Sequence, residues 1–199
     1  MRALILKLKL CFLYVFWAPI LLMYKYSEYR AIIDSDIEFW ILQSKSYPPQ
    51  KINTKLLIRL LYFHKQFRNL FFFRLQCQSN FIKWLCPPEE NLIIAQDCGP
   101  IRGGGIYFEH AYSTIIEVSH IGKGCIIRQL STFGVKATHK HNERPWIGDN
   151  VDFGANVTII GNIKIGNNAV IGAGSVVVKD VPDNAMVAGN PAKIINYAL

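Results

Sequence analysis

Histidine is the side chain best suited to proton chemistry near neutral pH, because its imidazole changes charge there, and this chain has five of them. They are His64, His110, His120, His139 and His141. His64 sits among apolar residues in KLLIRLLYFHKQF, which marks a packed ring. His110 follows Glu109 in YFEHAYSTII, so a carboxylate lies next to it in sequence and can help orient it or a substrate. His139 and His141 lie in the polar stretch GVKATHKHNERPW, where they either rival His110 as a base or stand solvated in a loop. The five cysteines, at 11, 77, 86, 98 and 125, follow no paired spacing and include no CxxC. That argues against a zinc ribbon or a disulfide framework and for a reducing compartment.

These groups need a scaffold, and the second half of the chain declares one. From Ile147 the sequence reads IGDNVD, FGANVT, IIGNIK, IGNNAV, IGAGSV, VVKDVP. The first position of each six is Ile147, Phe153, Ile159, Ile165, Ile171 or Val177, and the fifth is Val151, Val157, Ile163, Ala169, Ser175 or Val181. Large apolar firsts, small or apolar fifths and Gly, Asn, Asp or Ala between them fit neither a helix nor a heptad. They fit a parallel β-helix of short strands and tight corners. Each coil stacks on the last at about 4.8 Å, with the first-position side chains inward. The repeat extends backward through Ile127, Ile121 and Ile115, with Ser131, Cys125 and Ser119 as fifths. His120 then falls at an exposed corner. From Phe133 to Ile147 the phase breaks, so residues 134–146 leave the coils as a loop, and residues 183–199 abandon the repeat as a cap.

The first half obeys other rules. Of 22 Lys+Arg and 14 Asp+Glu, residues 1–90 hold 13 and 6, a net of +7 out of +8. All 14 glycines lie at or beyond Gly99, whereas 18 of 25 aromatics precede residue 91. Two regions follow: a helical, hydrophobic and basic segment over 1–90, and the β-helix over 91–199. Leu10–Tyr24 is free of charge but shorter than the roughly 20 residues that span a bilayer, and Pro19 would kink a helix there. Ile32, Ile33, Ile37, Trp40 and Ile41 recur at helical spacing. Thr54 is placed to cap a helix running through residue 76, with Arg59, Lys65, Arg68 and Arg74 largely on its outer side. That basic side reads either as a solvated face or as a surface for anionic lipid. No nucleic-acid motif accompanies the charge. A cytoplasmic protein is expected, meeting the inner membrane face if residues 1–90 contact lipid rather than only pack and oligomerise.

Three segments carry a family likeness. YFEHAYSTII at 107–116, the coil run at 147–182 and AGNPAKII at 188–195 resemble the hexapeptide-repeat acyltransferases, most closely their serine acetyltransferase-like branch. The resemblance implies a mainly β protein, a left-handed parallel β-helix preceded by helices. It implies a homotrimer that binds acetyl-coenzyme A between neighbouring solenoids and needs no metal. By the same resemblance His110 is the catalytic base, assisted by Glu109. Ala155 and Ala173, beside Gly154 and Gly172, lie along the pantetheine arm, and Lys193 meets a coenzyme phosphate, with Lys179 a weaker candidate. In the loop, Glu143 and Arg144 stand where true serine acetyltransferases have Arg-His before proline, and His141 lies close by. These three are the acceptor-side candidates. Asp97 is two residues out of step with the family's partner for the histidine.

The altered triplet turns the expected acceptor from L-serine toward a sugar hydroxyl of surface polysaccharide. Genuine serine acetylation, in cysteine biosynthesis, is the alternative. Solenoids of this repeat also build zinc enzymes on three histidines, for which His110, His120, His139 and His141 are the available set. A non-catalytic scaffold is the remaining class.

Overall fold

The computed structural model describes residues 16–44, 46–48, 50–77, 79–95, 103–137 and 143–197. Five helices come first: α1 over residues 16–25, α2 (Arg30–Ser44), α3 (Thr54–Phe63), α4 (Lys65–Arg74) and α5 (Asn80–Leu85). In α1, Trp17, Ile20 and Tyr24 are buried, spaced to share one face of a helix that includes Pro19. No helix among the described residues is long and apolar enough to cross a membrane.

The helix expected over 54–76 is two helices. Asn53, not Thr54, caps α3, and its side chain accepts from the Leu56 amide at 2.9 Å. At His64 the backbone turns extended (φ −120°, ψ 95°) and α4 begins afresh. A break strands carbonyls that a continuous helix would satisfy. Arg68 supplies the missing donors: it donates to the carbonyls of Leu61 and Tyr62, and to that of Pro87 at 2.6 Å. The expected basic outer side is therefore incomplete, because Arg68 and Arg74 are buried. His64 is packed as expected, with Trp40 edge-on to its ring and the Tyr47 hydroxyl 3.1 Å from Nε2.

Arg74 explains how the helices meet the coils. Its guanidinium pairs with Asp36 (Nε to Oδ2, 2.8 Å) and donates to the Gly103 carbonyl at 2.8 Å. Asp36 in turn accepts from the amides of Gly105 and Ile106 at 2.8 and 3.1 Å. Trp40 adds a bond from Nε1 to the Ile106 carbonyl at 2.7 Å and packs edge-on against Tyr107. The first coil is thus closed by helices, and the two regions share one buried core.

The coils form a left-handed parallel β-helix with three faces. One face stacks β1 (Leu92–Ile94), β3 (Thr114–Ile116), β6 (Thr132–Gly134), β9 (Thr158–Ile160) and β12 (Val176–Val177). A second stacks β2 (Tyr107–Glu109), β5 (Ile126–Arg128), β8 (Asp152–Phe153), β11 (Val170–Ile171), β13 (Ala185–Gly189) and β14 (Ala192–Tyr197). The third holds β4 (His120–Ile121), β7 (Trp146–Ile147) and β10 (Lys164–Ile165). Every pairing is parallel except β13 with β14, which fold back as the end cap. From Ile121 onward the first-position residues of the sixes are buried, as the two-position rule requires.

The rule fails at Ile115. That residue is 42% exposed and its neighbour Ile116 is 1% exposed, paired with Phe133 in the inward column. From Phe108 to Ile116 the chain takes eight residues, where the coils below take six (Ile127 to Phe133, Phe153 to Ile159, Ile171 to Val177). The corner between β2 and β3 is therefore two residues longer than those stacked beneath it.

Candidate active site

His110 sits at the start of that lengthened corner. It is exposed and holds φ +52°, and Ser113 in the same corner holds φ +48°. The left-handed region is uncommon for residues with a side chain. The Tyr112 amide closes the turn on the His110 carbonyl at 2.7 Å. Glu109, the last residue of β2, pairs across to β5, where Arg128 Nε donates to its Oε2 at 2.6 Å.

Strand register aligns the candidates along one edge. Glu109 lies beside Arg128, Ile127 beside Phe153, and Phe153 beside Ile171. Carried two positions past β8 and β11, the same register stacks Gln129, Ala155 and Ala173 in one corner column. Above it the lengthened corner places Tyr112 over Gln129, the Leu130 amide donating to the Tyr112 carbonyl at 3.0 Å, and His110 stands two residues before Tyr112. Two bonds lower in the column support it: Asn156 N to Gln129 O at 2.8 Å and Gly174 N to Ala155 O at 2.9 Å. Beneath Arg128 the side chains vanish, leaving Gly154 and Gly172. A Cβ on Gly154 would stand 2.5 Å from the Ala173 amide nitrogen, so the corner backbones touch there. Lys193 is exposed on β14 opposite Ala188, at the far end of the same face. Five strand steps of about 4.8 Å separate β2 from β14, a lane of about 24 Å.

Other candidates lie elsewhere. Arg144 meets Glu117, which follows β3 at the next corner, with Nε and Nη2 donating to Oε1 at 3.1 and 3.0 Å. The Ser119 hydroxyl donates to the Pro145 carbonyl at 2.9 Å and holds the same loop exit. Glu143 stands beside Arg144 in that exit, so within one chain neither residue shares the His110 corner. His120 is on the third face, stacked on Trp146 with centroids 4.8 Å apart, and Lys164 Nζ lies 4.9 Å above the same indole. Lys179 follows β12, away from the His110 corner. Asp97, His139 and His141 fall outside the described residues. Among the described residues no group of three or more His, Cys, Asp or Glu is arranged to hold a metal ion. Cys125 points inward as expected, and burial pushes its thiol up to about 12.

Arg128 and Glu117 were not candidates from sequence. Their partners are separated by 19 and 27 residues, and the lengthened corner and the excursion loop hide that spacing.

Residues 144–179 match the family model for the bacterial transferase hexapeptide (six repeats). The six-residue repeat of this chain is shared with that family over those residues. Its likeness is to the serine acetyltransferase branch. Over 96 residues it is 46% identical to serine acetyltransferase 4 of Arabidopsis thaliana, covering 48% of this chain and 27% of that protein. Over 98 residues it is 39% identical to the serine acetyltransferase of Synechococcus elongatus, covering 49% of this chain and 40% of that one. The chain thus spans less than half the length of these curated relatives. The likeness in structure reaches further. The crystal structure of Neisseria gonorrhoeae serine acetyltransferase aligns with TM-score 0.67 at 26% identity, over 86% of this chain and 66% of that one. That share exceeds the coils, so the helical region aligns with that structure as well.

Proposed function

We propose that this hexapeptide-repeat protein is an acetyl-coenzyme A-dependent O-acetyltransferase with His110 as general base. The observation that carries the reading is the shared edge. An exposed imidazole at a lengthened corner stands at the head of an edge whose lower corners are stripped to Ala155, Ala173 and glycine, with Lys193 at the other end. Such a lane suits a long, thin ligand whose reacting end lies at His110 and whose phosphates lie toward a lysine. His110 accepts the hydroxyl proton as the acceptor oxygen attacks the thioester carbonyl. A C–O bond forms, the C–S bond breaks, and the proton passes from the imidazolium to the departing sulfur, giving free coenzyme A thiol and an acetyl ester.

For the acceptor, the relatives named serine acetyltransferases support L-serine, and they favour it over the polysaccharide sugar hydroxyl expected from sequence. One observation keeps the sugar reading as a second. Arg144, at the position expected to hold serine, has its guanidinium bonded to Glu117. A homotrimer belongs to the proposal, because a neighbouring copy can bring its loop exit to a His110 corner that its own loop does not reach.

The test is direct. The full chain is incubated with acetyl-coenzyme A and L-serine, nucleotide sugars or lipid-linked oligosaccharide, and free thiol is followed. His110→Ala should lower turnover by about 10² to 10⁴ and leave coenzyme A affinity unchanged. No acceptor-dependent thiol release, or a fully active His110→Ala protein, would sink the proposal.

A further inference from the structure

Arg128 is the centre of a charged ladder that ties three coils together beside His110. Its Nε donates to Glu109 of β2 at 2.6 Å, and its Nη1 donates to the Asp152 carboxylate and to the Phe153 carbonyl at 3.0 Å on β8. Burial works against the guanidinium charge, yet Asp152 and Glu109 more than offset it, so the group titrates above its ordinary range. The ladder is therefore a permanently charged clamp between two half-exposed carboxylates.

Its position is what gives it a consequence. Glu109 is the last residue of β2, and the very next residue is His110, at φ +52° in a corner two residues longer than its neighbours. Corners lower in the column have closely stacked backbones, as the contact of Gly154 with Ala173 shows. The His110 corner bulges out of that stack, so the direction of its imidazole depends on how firmly the end of β2 is held. Among the described residues, Arg128 is the only side chain hydrogen-bonded to Glu109. A displacement of about 1 Å at a reacting group can cost about 10² in rate.

We propose that Arg128 is a positioning residue: through Glu109 and Asp152 it fixes the strand end that presents His110. This rests on the reading of His110 as the base. Arg128→Leu removes the clamp and keeps the apolar stem of the side chain, Arg128→Lys keeps one charge, and Glu109→Gln removes the anionic partner.

The experiment pairs two readouts on the full chain. The first is NMR of histidine-labelled protein. Arg128→Leu should shift or double the His110 ring resonances and leave those of His64, packed between Trp40 and Tyr47, in place. Arg128→Lys should restore part of the wild-type pattern, and Glu109→Gln should reproduce the change. The second is the thiol-release assay with the acceptor that the wild-type protein uses best. Arg128→Leu should lower kcat by about 10- to 100-fold, with KM for acetyl-coenzyme A within about twofold of wild type. Unmoved His110 resonances in Arg128→Leu overturn the proposal. So does movement of the His64 resonances together with His110, which would mean a general loosening, and so does an unchanged kcat. If the wild-type protein releases no thiol, the transferase reading fails and the NMR arm alone decides on Arg128.

Discussion

Arg144 donates two hydrogen bonds to a single carboxylate oxygen of Glu117, at 3.1 and 3.0 Å, at the foot of the loop that interrupts the coils. The Ser119 hydroxyl grips the same exit through the Pro145 carbonyl, and the Trp146–His120 stack follows at once. Converting residues 143 and 144 to the Arg-His pair of true serine acetyltransferases therefore does two things. It offers serine new contacts, and it leaves Glu117 half-buried without its arginine. The Glu143→Arg/Arg144→His double variant should gain serine turnover relative to wild type while losing about 1–3 kcal/mol of stability, the usual cost of a stranded charged partner. Thermal melts and thiol release measured on the same preparation check both. Undiminished stability would show that Glu117 does not depend on Arg144.

Ala173 and Gly154 face each other across one rung, and opposite outcomes are expected from enlarging them. Ala173 is exposed, so Ala173→Phe leaves the coil intact and fills the lane proposed for coenzyme A. KM for acetyl-coenzyme A should rise by about tenfold or more, with the melting temperature unchanged, because a blocked contact of about 1.4 kcal/mol is tenfold in affinity. Gly154→Ala instead drives a Cβ toward the Ala173 amide nitrogen, 2.5 Å away. It should destabilise by about 1–3 kcal/mol, as overpacking does. A melting temperature unaffected by Gly154→Ala would contradict the stacked corner.

The coils were legible because inward side chains repeat every six residues whatever lies outside them, and Ile121 through Val181 obey that rule. Ile115 is misplaced by the repeat because the step from Ile116 to Ile121 is one residue short of six. Eight residues separate Phe108 from Ile116 and five separate Ile116 from Ile121, so a frame counted backward from Ile121 misses by one. Helical periodicity marked Ile33, Ile37, Trp40 and Ile41 correctly. It was silent on the break at His64, since the signal for it is a distant arginine that replaces lost helix bonds. For the same reason Arg68 and Arg74 looked like surface charge. A sequence shows that a residue is basic, and only the fold shows that Asp36 or a pair of carbonyls awaits it. His110, Ala155 and Ala173 are picked out only through likeness to a family, whereas the column of Gln129, Ala155 and Ala173 below the His110 corner comes from strand register.

His64 gives the helical region a pH dependence of defined sign. Burial, with Arg68 adding to it, holds the folded His64 below its ordinary value of 6.5. As pH falls through 6.5, the unfolded chain binds this proton before the folded one does. The unfolded state is then favoured, and stability declines as pH drops toward the folded value. His64→Gln keeps a partner for the Tyr47 hydroxyl without a titrating ring. The difference in melting temperature between pH 7.5 and pH 5.5 should shrink in that variant. An identical pH dependence in both proteins would remove His64 as a contributor.

Asp36 decides whether the coils can stand without the helices. Its carboxylate, 1% exposed, receives Arg74 from α4 and the amides of Gly105 and Ile106 from the entry to the first coil. Burial pushes the carboxyl above its ordinary range, against the pull of Arg74 and those two amides. Removing one partner of a buried pair costs about 3–5 kcal/mol, so Asp36→Ala should unfold the helical cover and expose the top of the solenoid. Deleting residues 1–90 strips Ile106 and Phe108 of the same cover. The deletion protein is expected to aggregate or to lose its first coil, with protease cutting ahead of β4 while the coils from Ile121 onward resist. An Asp36→Asn/Arg74→Met pair, which removes both charges, should recover part of the loss of Asp36→Ala. Limited proteolysis and sedimentation of the three proteins separate the outcomes. A deletion protein that sediments as a defined oligomer with an intact first coil would mean that the coils close their own end, and that the Asp36–Arg74 pair orders the helices alone.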